Sequence, residues 1–209
     1  MGDGSSQNVY NDGIAVRGRW SPRKGESAVK WMIASDIHGS ALFCRRLLAA
    51  FDREEADRLI LLGDLLYHGP RNPLPEGYAP QETAALLNAR RERLVCVRGN
   101  CDADVDQMVL EFPILSDSSL LCAGGRTVFA THGHLWNTQK RPPLCPGDIL
   151  LHGHTHVPAW EPFGDGNYYL NPGSVSLPKE GSPRGYLTAE DGAFAWKTLE
   201  SEPYHTLTL

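Results

Sequence analysis

Leu59-Ile60-Leu61-Leu62-Gly63-Asp64 is the most informative segment of this 209-residue chain. Its four consecutive aliphatic residues show no alternation, which predicts a central strand of an α/β sheet, covered on both faces. Functional groups in open α/β sheets lie just past the carboxyl ends of the strands, where Gly63 and Asp64 fall. One carboxylate there can hold two divalent cations, about 3.5–4 Å apart. We therefore predict that Asp64 bridges two metal ions, against the alternative that it only caps a helix.

Composition and charge limit the functions that this chain can have. It is 41% hydrophobic and 22% charged, which suits one globular domain with a substantial core. No segment reaches the length of a membrane span, and a formal net charge of -5 argues against an extended nucleic-acid partner. The five cysteines form no C-x-x-C pair and no secretory signal is evident, which predicts reduced thiols in a cytoplasmic protein.

The chain divides into a leader and a domain. Residues 1–28 are rich in Gly, Ser, Asn, Asp and Arg without periodicity, so we expect a disordered leader there. Residues 29–209 are expected to form a single domain of alternating strands and helices, with a late hairpin across Asp191-Gly192.

Other strand ends also carry ligand-type side chains. A strand at 29–35 ends in Asp36-Ile37-His38, and residues two apart on an extended segment point the same way. Gly39-Ser40 then breaks the strand and caps a helix at 41–51. A third buried strand at 94–97 leads to Asn100, whose amide offers a neutral oxygen ligand.

Histidines concentrate at the ends of two further strands, at 127–131 and 148–151. These ends read His132-Gly133-His134 and His152-Gly153-His154-Thr155-His156 and hold five of the eight histidines in the chain. The glycines let the backbone and a ligand approach closely. We interpret His152, and the distant His205, as structural residues.

A proline-rich loop at 67–80 follows Asp64. Four prolines and two glycines exclude a regular element, and a long loop on the ligand side of the sheet shapes a substrate pocket. His68 and Arg71 are candidate substrate contacts, since the arginine fork fits phosphate oxygens. The alternative that these two residues only order the loop is equally strong.

Together the strand ends supply seven oxygen and nitrogen ligands, which describe a two-metal site. The ligands are Asp36, His38, Asp64, Asn100, His132, His154 and His156. A structural zinc is the main alternative, but such sites normally use four ligands, rich in cysteine and closely spaced. The seven candidates are spread over about 120 residues and include no cysteine pair.

The motifs resemble the calcineurin-like metallophosphoesterase superfamily, and most closely its YfcE-type bacterial phosphodiesterases. They are Asp36-x-His38, Gly63-Asp64, Gly99-Asn100, His132-Gly133-His134 and Gly153-His154-x-His156, within a match from about residue 30 to at least 183. The resemblance implies an α/β fold in which a two-sheet β-sandwich is flanked by helices, the four-layer αββα arrangement. It further implies a first metal on Asp36, His38, Asp64 and His156, and a second on Asp64, Asn100, His132 and His154. Family members use manganese, iron, nickel or zinc, and we expect manganese.

The expected reaction is hydrolysis of a small phosphodiester. Two dications lower the pKa of a bridging water, and the resulting hydroxide attacks in line while the ions neutralise the phosphoryl oxygens. His134 is expected to orient water, substrate or ligands. The wider superfamily usually has histidine after the Asn ligand, where this chain has Cys101. A thiol is a poor general acid or phosphate ligand, so a phosphodiesterase is favoured over a phosphomonoesterase.

Two functions of other classes stay open. The first is a binding scaffold: the retromer cargo-recognition subunit resembles this fold with a disrupted metal site, and the complete ligand set here disfavours that function. A nuclease is disfavoured by the acidic balance and the lack of a basic, aromatic-rich groove. A homo-oligomer is compatible with the sequence.

Overall fold

Eleven strands and two α-helices form within residues 29–209, the part of the chain that the computed structural model describes. The predicted leader at 1–28 lies outside the described residues. The helices are α1 (Ala41–Glu54) and α2 (Pro80–Asn88), with 3-10 turns at Arg91–Arg93 and Asp106–Met108. The strands are β1 (Trp31–Ala34), β2 (Arg58–Leu61), β3 (Leu94–Cys96), β4 (Ser118–Ala123), β5 (Arg126–Thr131), β6 (Ile149–Leu151), β7 (Ala159–Pro162), β8 (Tyr168–Asn171), β9 (Gly185–Glu190), β10 (Ala193–Thr198) and β11 (Pro203–Thr208).

The strands form two mixed sheets. The first has the order β11-β10-β9-β1-β2-β3, with β1, β2 and β3 parallel. The second has the order β4-β5-β6-β8-β7, with β5, β6 and β8 parallel. The parallel strands of each sheet therefore end together, which places the loops after them side by side.

Side chains of the two central strands alternate between two hydrophobic cores. Met32, Leu59 and Leu61 pack beneath the helices, whereas Ile33 and Ile60 pack between the sheets. Because both faces of β2 are covered, its sequence can be apolar throughout. The prediction of a doubly covered central strand is confirmed.

Helix α1 begins where the sequence predicted. Ser40 is its N-cap, and the Ser40 hydroxyl accepts a hydrogen bond from the Phe43 amide at 3.3 Å. Phe43, Leu47 and Phe51 lie on one face of α1 and are buried in the core between the helices and the six-stranded sheet. This packing fixes the loop between β1 and α1, where two candidate ligands lie.

The predicted fold class, a two-sheet sandwich flanked by helices, is confirmed. Both helices contribute to the core on the outer face of the six-stranded sheet. Within residues 29–209, the outer face of the five-stranded sheet therefore carries no α-helix, so the fourth layer of the expected αββα arrangement is not helical in this range. None of the helices in this range is long and apolar enough to cross a membrane.

The sequence did not predict the edge strands β4, β7 and β11. All three lie at sheet edges, where only one neighbour is available for pairing. Their side chains are mostly exposed or half-buried, so they lack the apolar run that marks a central strand. Because β4 precedes it, the strand that ends at His132 is the fifth in the chain rather than the fourth.

Candidate metal centre

The seven predicted ligands lie in the loops that follow the carboxyl ends of strands in both sheets. Asp36 and His38 follow β1, Asp64 follows β2 and Asn100 follows β3, all in the first sheet. The second sheet contributes His132 after β5, and His154 and His156 after β6. These side chains form two groups, and each group takes residues from both sheets.

The first group surrounds Oδ1 of Asp36. Nε2 of His38 lies 3.5 Å from this oxygen and Nε2 of His156 lies 3.3 Å from it. The two imidazole nitrogens are 3.3 Å apart. All three residues are buried, with 0–3% of their surface exposed. This is the set that the resemblance assigns to the first metal, apart from Asp64.

The second group surrounds Nε2 of His132. Oδ1 of Asn100 lies 3.0 Å from this nitrogen and Nδ1 of His154 lies 3.1 Å from it. Oδ2 of Asp64 is 3.5 Å away. His132 is fully buried, whereas Asn100 is exposed and His154 half-buried. The second group is therefore open to solvent on the side of Asn100.

Asp64 belongs to both groups through one oxygen. Its Oδ2 lies 3.7 Å from Nε2 of His38 and 3.5 Å from Nε2 of His132. The other oxygen, Oδ1, accepts a hydrogen bond from the amide of Cys101 at 2.8 Å. That bond fixes the rotation of the carboxylate, so Oδ2 stays between the two groups.

Backbone carbonyls orient three of the four histidines. Nδ1 of His38 lies 2.8 Å from the carbonyl oxygen of Tyr67. Nδ1 of His132 lies 2.6 Å from the carbonyl oxygen of Leu62, and Nδ1 of His156 lies 2.6 Å from that of Leu177. A carbonyl oxygen only accepts, so each Nδ1 carries the proton and donates. When such a ring is neutral, it presents the lone pair of Nε2 to the centre, the arrangement typical of metal-binding histidines.

The donor atoms fit divalent cations. Among the described residues, Asp36 Oδ1 is buried without a hydrogen-bond partner. Nε2 of His38 faces Nε2 of His156, and Nε2 of His132 faces Oδ1 of Asn100. Two acceptor atoms cannot form a hydrogen bond unless a proton lies between them, and a bound cation would satisfy both. Buried carboxylate and imidazole groups are ligands that transition-metal ions accept.

Electrostatics in the protein alone also favour positive charge here. Burial opposes ionisation of Asp36, but the imidazoles of His156 and His38 beside its carboxylate outweigh that effect and hold the pKa of Asp36 well below its usual range. Burial lowers the pKa of His132, yet the Asp64 and Asp36 carboxylates outweigh that effect and raise it to about 9. The electrostatic potential at the centre is thus negative, and protons would compete with metal ions for the same side chains.

Five candidate ligands have left-handed backbone conformations. The φ angles are 59° at Asp36, 50° at His38, 55° at Asp64, 66° at His154 and 64° at His156. Non-glycine residues adopt this region at a cost of roughly 1 kcal/mol or more each, and such residues cluster at functional sites. The expectation that Asp36 and His38 converge along an extended strand is wrong, because β1 ends at Ala34 and turns aim both side chains.

Two glycines allow the loops to pack against these ligands. A Cβ on Gly99 would lie 2.1 Å from Oδ1 of Asp64. A Cβ on Gly153 would lie 1.9 Å from the Ser35 hydroxyl and 2.8 Å from Oδ2 of Asp36. Any side chain at either position would displace a candidate ligand, which explains why the motifs contain glycine there.

Asp102 holds two of the ligand-bearing loops together, a role that its sequence position did not predict. Its buried carboxylate accepts hydrogen bonds from the amides of Asp64 (2.8 Å), Leu65 (2.8 Å) and Gly99 (2.7 Å). Burial raises the pKa of Asp102, while the amides of Leu65 and Gly99 oppose that rise. Asp102 therefore joins the loops after β2 and β3, which carry Asp64 and Asn100.

The loop after β8 forms hydrogen bonds with the backbone of Asp36. The hydroxyls of Ser174 and Ser176 donate to the Asp36 carbonyl at 2.9 and 3.1 Å. The Asn171 amide donates to the Gly153 carbonyl at 3.0 Å and so holds the loop that carries His154. These bonds join residues far apart in the sequence, so no local pattern indicates them.

The predicted catalytic residues lie beside the centre. The ring of His134 is half-buried, with its centroid 5.4 Å from that of His132 and 6.3 Å from that of His154. Burial and the nearby His132 lower the pKa of His134, which favours a neutral ring. Burial and the carboxylate of Asp64 raise the pKa of the Cys101 thiol, so the thiol stays protonated.

The predicted substrate contacts lie in the loop at 67–80. His68 packs edge-on against the rings of Tyr67 and Tyr78, with centroids 4.8 and 5.3 Å away. Arg71 is exposed. The Ser40 hydroxyl donates to the Glu76 carbonyl at 2.6 Å, so this irregular loop is anchored to the start of α1.

The two histidines interpreted as structural pack on aromatic rings. His152 stacks on Tyr169 with centroids 4.3 Å apart, and His205 stacks on Trp160 at 3.8 Å. Burial lowers the pKa of His152 to about 4, so this ring is neutral.

Residues 29–191 match the calcineurin-like phosphoesterase superfamily domain. The chain belongs to the calcineurin-like phosphoesterase superfamily. Its curated relatives include the phosphodiesterase YfcE of Escherichia coli K12, which is 48% identical over 158 residues, covering 76% of this chain and 85% of YfcE. The probable metallophosphoesterase YsnB of Bacillus subtilis is 30% identical over 171 residues, covering 78% of this chain and 85% of YsnB.

The fold agrees with that assignment. The solved structure of the E. coli phosphoesterase YfcE superposes with a TM-score of 0.82 at 42% identity, covering 86% of this chain and 98% of that one. The identification of a calcineurin-like phosphoesterase is confirmed. The expectation of an enzyme of the metallophosphoesterase class agrees with this family, and the relative YfcE is named a phosphodiesterase.

Proposed function

We propose that this calcineurin-like phosphoesterase hydrolyses a small phosphodiester at a dinuclear metal centre. The position of Asp64 Oδ2, within 3.7 Å of His38 and 3.5 Å of His132, carries the proposal. A carboxylate oxygen that faces both groups of ligands could be shared by two ions, one in each group. A single structural ion would need only one of the groups.

Asp36, His38, Asp64 and His156 would hold the first ion, and Asp64, Asn100, His132 and His154 the second. When bound, two divalent ions supply an activated water and neutralise charge on the phosphoryl oxygens. The protein holds the imidazoles by their Nδ1 hydrogen bonds and keeps water from the buried first group. His134, beside His132 and His154, orients the substrate or water. Manganese is our first choice of metal, with iron, nickel and zinc as alternatives.

The thiol at position 101 supports a diester as the substrate. Cys101 is half-buried, and its amide binds Asp64 Oδ1 at 2.8 Å, so its side chain lies at the rim of the centre. A protonated thiol carries no positive charge for the extra anionic charge of a phosphomonoester. The name of the 48% identical relative, phosphodiesterase YfcE, points the same way.

We propose a small-molecule substrate and a cytoplasmic location, with neither extended nucleic acid nor membrane as a partner. The net charge of -5 supports the first point. All five cysteines are free, which supports a reducing compartment. A homo-oligomer is compatible with this function.

The test is metal reconstitution of the full chain. Protein stripped with a chelator is reloaded with manganese, iron, nickel or zinc, and bound metal is counted by mass spectrometry. Activity is then assayed on bis(4-nitrophenyl) phosphate and on 4-nitrophenyl phosphate. We expect two ions per chain and faster hydrolysis of the diester. One ion per chain would contradict the dinuclear centre, a preference for the monoester would contradict the substrate class, and inactivity with every metal would indicate a scaffold.

A further inference from the structure

A cleft of about 820 Å³ opens next to the metal centre. It lies between α2 and residues 101–109, with the start of the loop at 67–80 along one side. Cys101 lines the cleft and also donates its amide to Asp64 Oδ1 at 2.8 Å. The cleft therefore adjoins the metal centre at Cys101.

The walls of the cleft are apolar and aromatic. They include Leu66, Tyr67, Tyr78, Ala84, Val105 and Val109. Val105 and Val109 are 65% and 54% exposed, so their apolar surface is available to a ligand. Ligand pockets are typically concave and apolar with a few polar groups, and this cleft has that composition.

The charge on the residues that line the cleft restricts the chemical groups that it can bind. Asp106 is the charged residue among those that line the cleft, and neither lysine nor arginine lines it within residues 29–209. A second phosphate would meet a carboxylate there without a compensating cation. An uncharged, flat group would instead bury apolar surface against Tyr67 and Tyr78.

The outer wall of the cleft is held in place by side-chain hydrogen bonds. The Asn88 amide donates to the Val109 carbonyl at 2.8 Å, and its oxygen accepts from the Glu111 amide at 2.9 Å. The Gln107 amide donates to the Leu110 and Phe112 carbonyls, both at 2.9 Å. The cleft is thus preformed, which lowers the entropy cost of binding.

We propose that this cleft binds one ester group of the substrate, an aryl or similarly flat and uncharged group. The inference rests on the proposed function and gives it a substrate class: diesters with at least one such group. The cleft is then a specificity pocket and takes no part in the chemistry at phosphorus.

The test fills the cleft from its two walls. Ala85→Phe adds bulk from α2, and Val109→Trp adds bulk from the facing wall; Ala89→Phe, on an exposed residue outside the cleft, is the matched control. We expect kcat/KM for bis(4-nitrophenyl) phosphate to fall about 10-fold or more in both filled variants, a typical effect of an altered apolar pocket. Inhibition by inorganic phosphate and metal content should equal those of the wild type, because the centre is untouched.

A second diester, methyl 4-nitrophenyl phosphate, identifies the group that binds. An equal loss on this substrate assigns the cleft to the departing aryl group, and no loss assigns it to the aryl group that stays on phosphorus. Unchanged kcat/KM on the bis-aryl diester in both filled variants, with stable protein, would overturn the inference while leaving the proposed function intact. Wild-type protein that hydrolyses neither diester with any metal would instead overturn the proposed function.

Discussion

The amide of Cys101 donates to Oδ1 of Asp64 at 2.8 Å, and this bond leaves Oδ2 alone to face both groups of histidines. Asp64→Asn should therefore cost more activity than any other single ligand change, because it weakens both proposed metal sites. Asp36→Asn, Asn100→Ala and His154→Ala each alter one site and serve as comparisons. Metal content and turnover of the four variants decide the matter. An Asp64→Asn variant that keeps two ions and most of its activity would show that Asp64 is not the bridge.

Asp102→Asn should weaken metal binding by about 10-fold and lower the melting temperature. The asparagine amide has one oxygen, and its NH₂ group would face amides that now donate to Asp102. Asp104→Asn, two residues away and exposed, is the matched control. Metal titration followed by calorimetry, together with thermal unfolding of metal-free protein, separates the two effects. Affinity equal to that of the control would mean that Asp102 has no part in placing Asp64.

Cys101→His should change how the rate depends on the leaving group. An alkyl oxygen needs a proton as its bond to phosphorus breaks, whereas an aryl oxygen of low pKa does not. In the wild type, rates should fall steeply as the leaving-group pKa rises. The histidine variant should flatten this dependence and gain about 10-fold or more on poor leaving groups. The measurement is a series of aryl and alkyl phosphoesters at matched metal occupancy. Equal slopes would show that residue 101 does not stand at the leaving group.

Arg71→Ala tests the predicted role of the loop at 67–80 in substrate binding. If Arg71 contacts the phosphodiester, its loss should raise KM or lower kcat/KM about 10-fold, with metal content unchanged. Arg58→Ala is the control, since Arg58 is exposed at the opposite end of β2 from Asp64. Kinetics equal to those of Arg58→Ala on several diesters would leave Arg71 with only a role in ordering the loop.

Glu54 links pH to stability at a site remote from the metal centre. Its carboxylate accepts hydrogen bonds from Lys197 at 2.8 and 2.9 Å and from the Tyr186 hydroxyl at 2.7 Å. Burial raises the pKa of Glu54, but these bonds and Lys30 outweigh it and lower the pKa from 4.5. The folded state therefore holds this proton more weakly than the unfolded state. The stabilisation is complete above the unfolded pKa of 4.5 and is lost as the pH falls through the lower folded value.

Glu54→Gln should accordingly lower the melting temperature at pH 7 by about 5 °C. The difference from the wild type should shrink as the pH falls below about 4.5. Thermal unfolding between pH 7 and pH 3.5 measures both effects, with exposed Glu55→Gln as the control. A difference that is constant across this range would show that the carboxylate charge is not the stabilising feature.

Much of this architecture could be predicted because central strands and their ends carry strong local signals. The run Leu59 to Leu62 marked a buried strand, and polar residues directly after buried strands marked the candidate ligands. The backbone turns that aim Asp36 and His38 could not be predicted, because left-handed conformations at non-glycine residues depend on tertiary contacts. The Ser174 and Ser176 hydroxyls on the Asp36 carbonyl are such contacts.

Asp102 shows the other limit of sequence reasoning. An aspartate two residues after Asn100 reads as an ordinary turn residue. Its role depends on the amide of Asp64, 38 residues earlier in the chain. The edge strands β4, β7 and β11 were missed for a related reason, since half-exposed strands lack the continuous apolar run of a central strand.

Each group of candidate ligands takes side chains from both sheets, so each bound ion would be a cross-link between the two halves of the sandwich. Separating the sheets would break both groups at once and release the ions. The free energy of metal binding then adds to the free energy of unfolding. An ion that binds only the folded state stabilises it by an amount set by the ion's concentration and dissociation constant. A cell that limits this protein's metal would thereby also shorten its lifetime as a folded molecule.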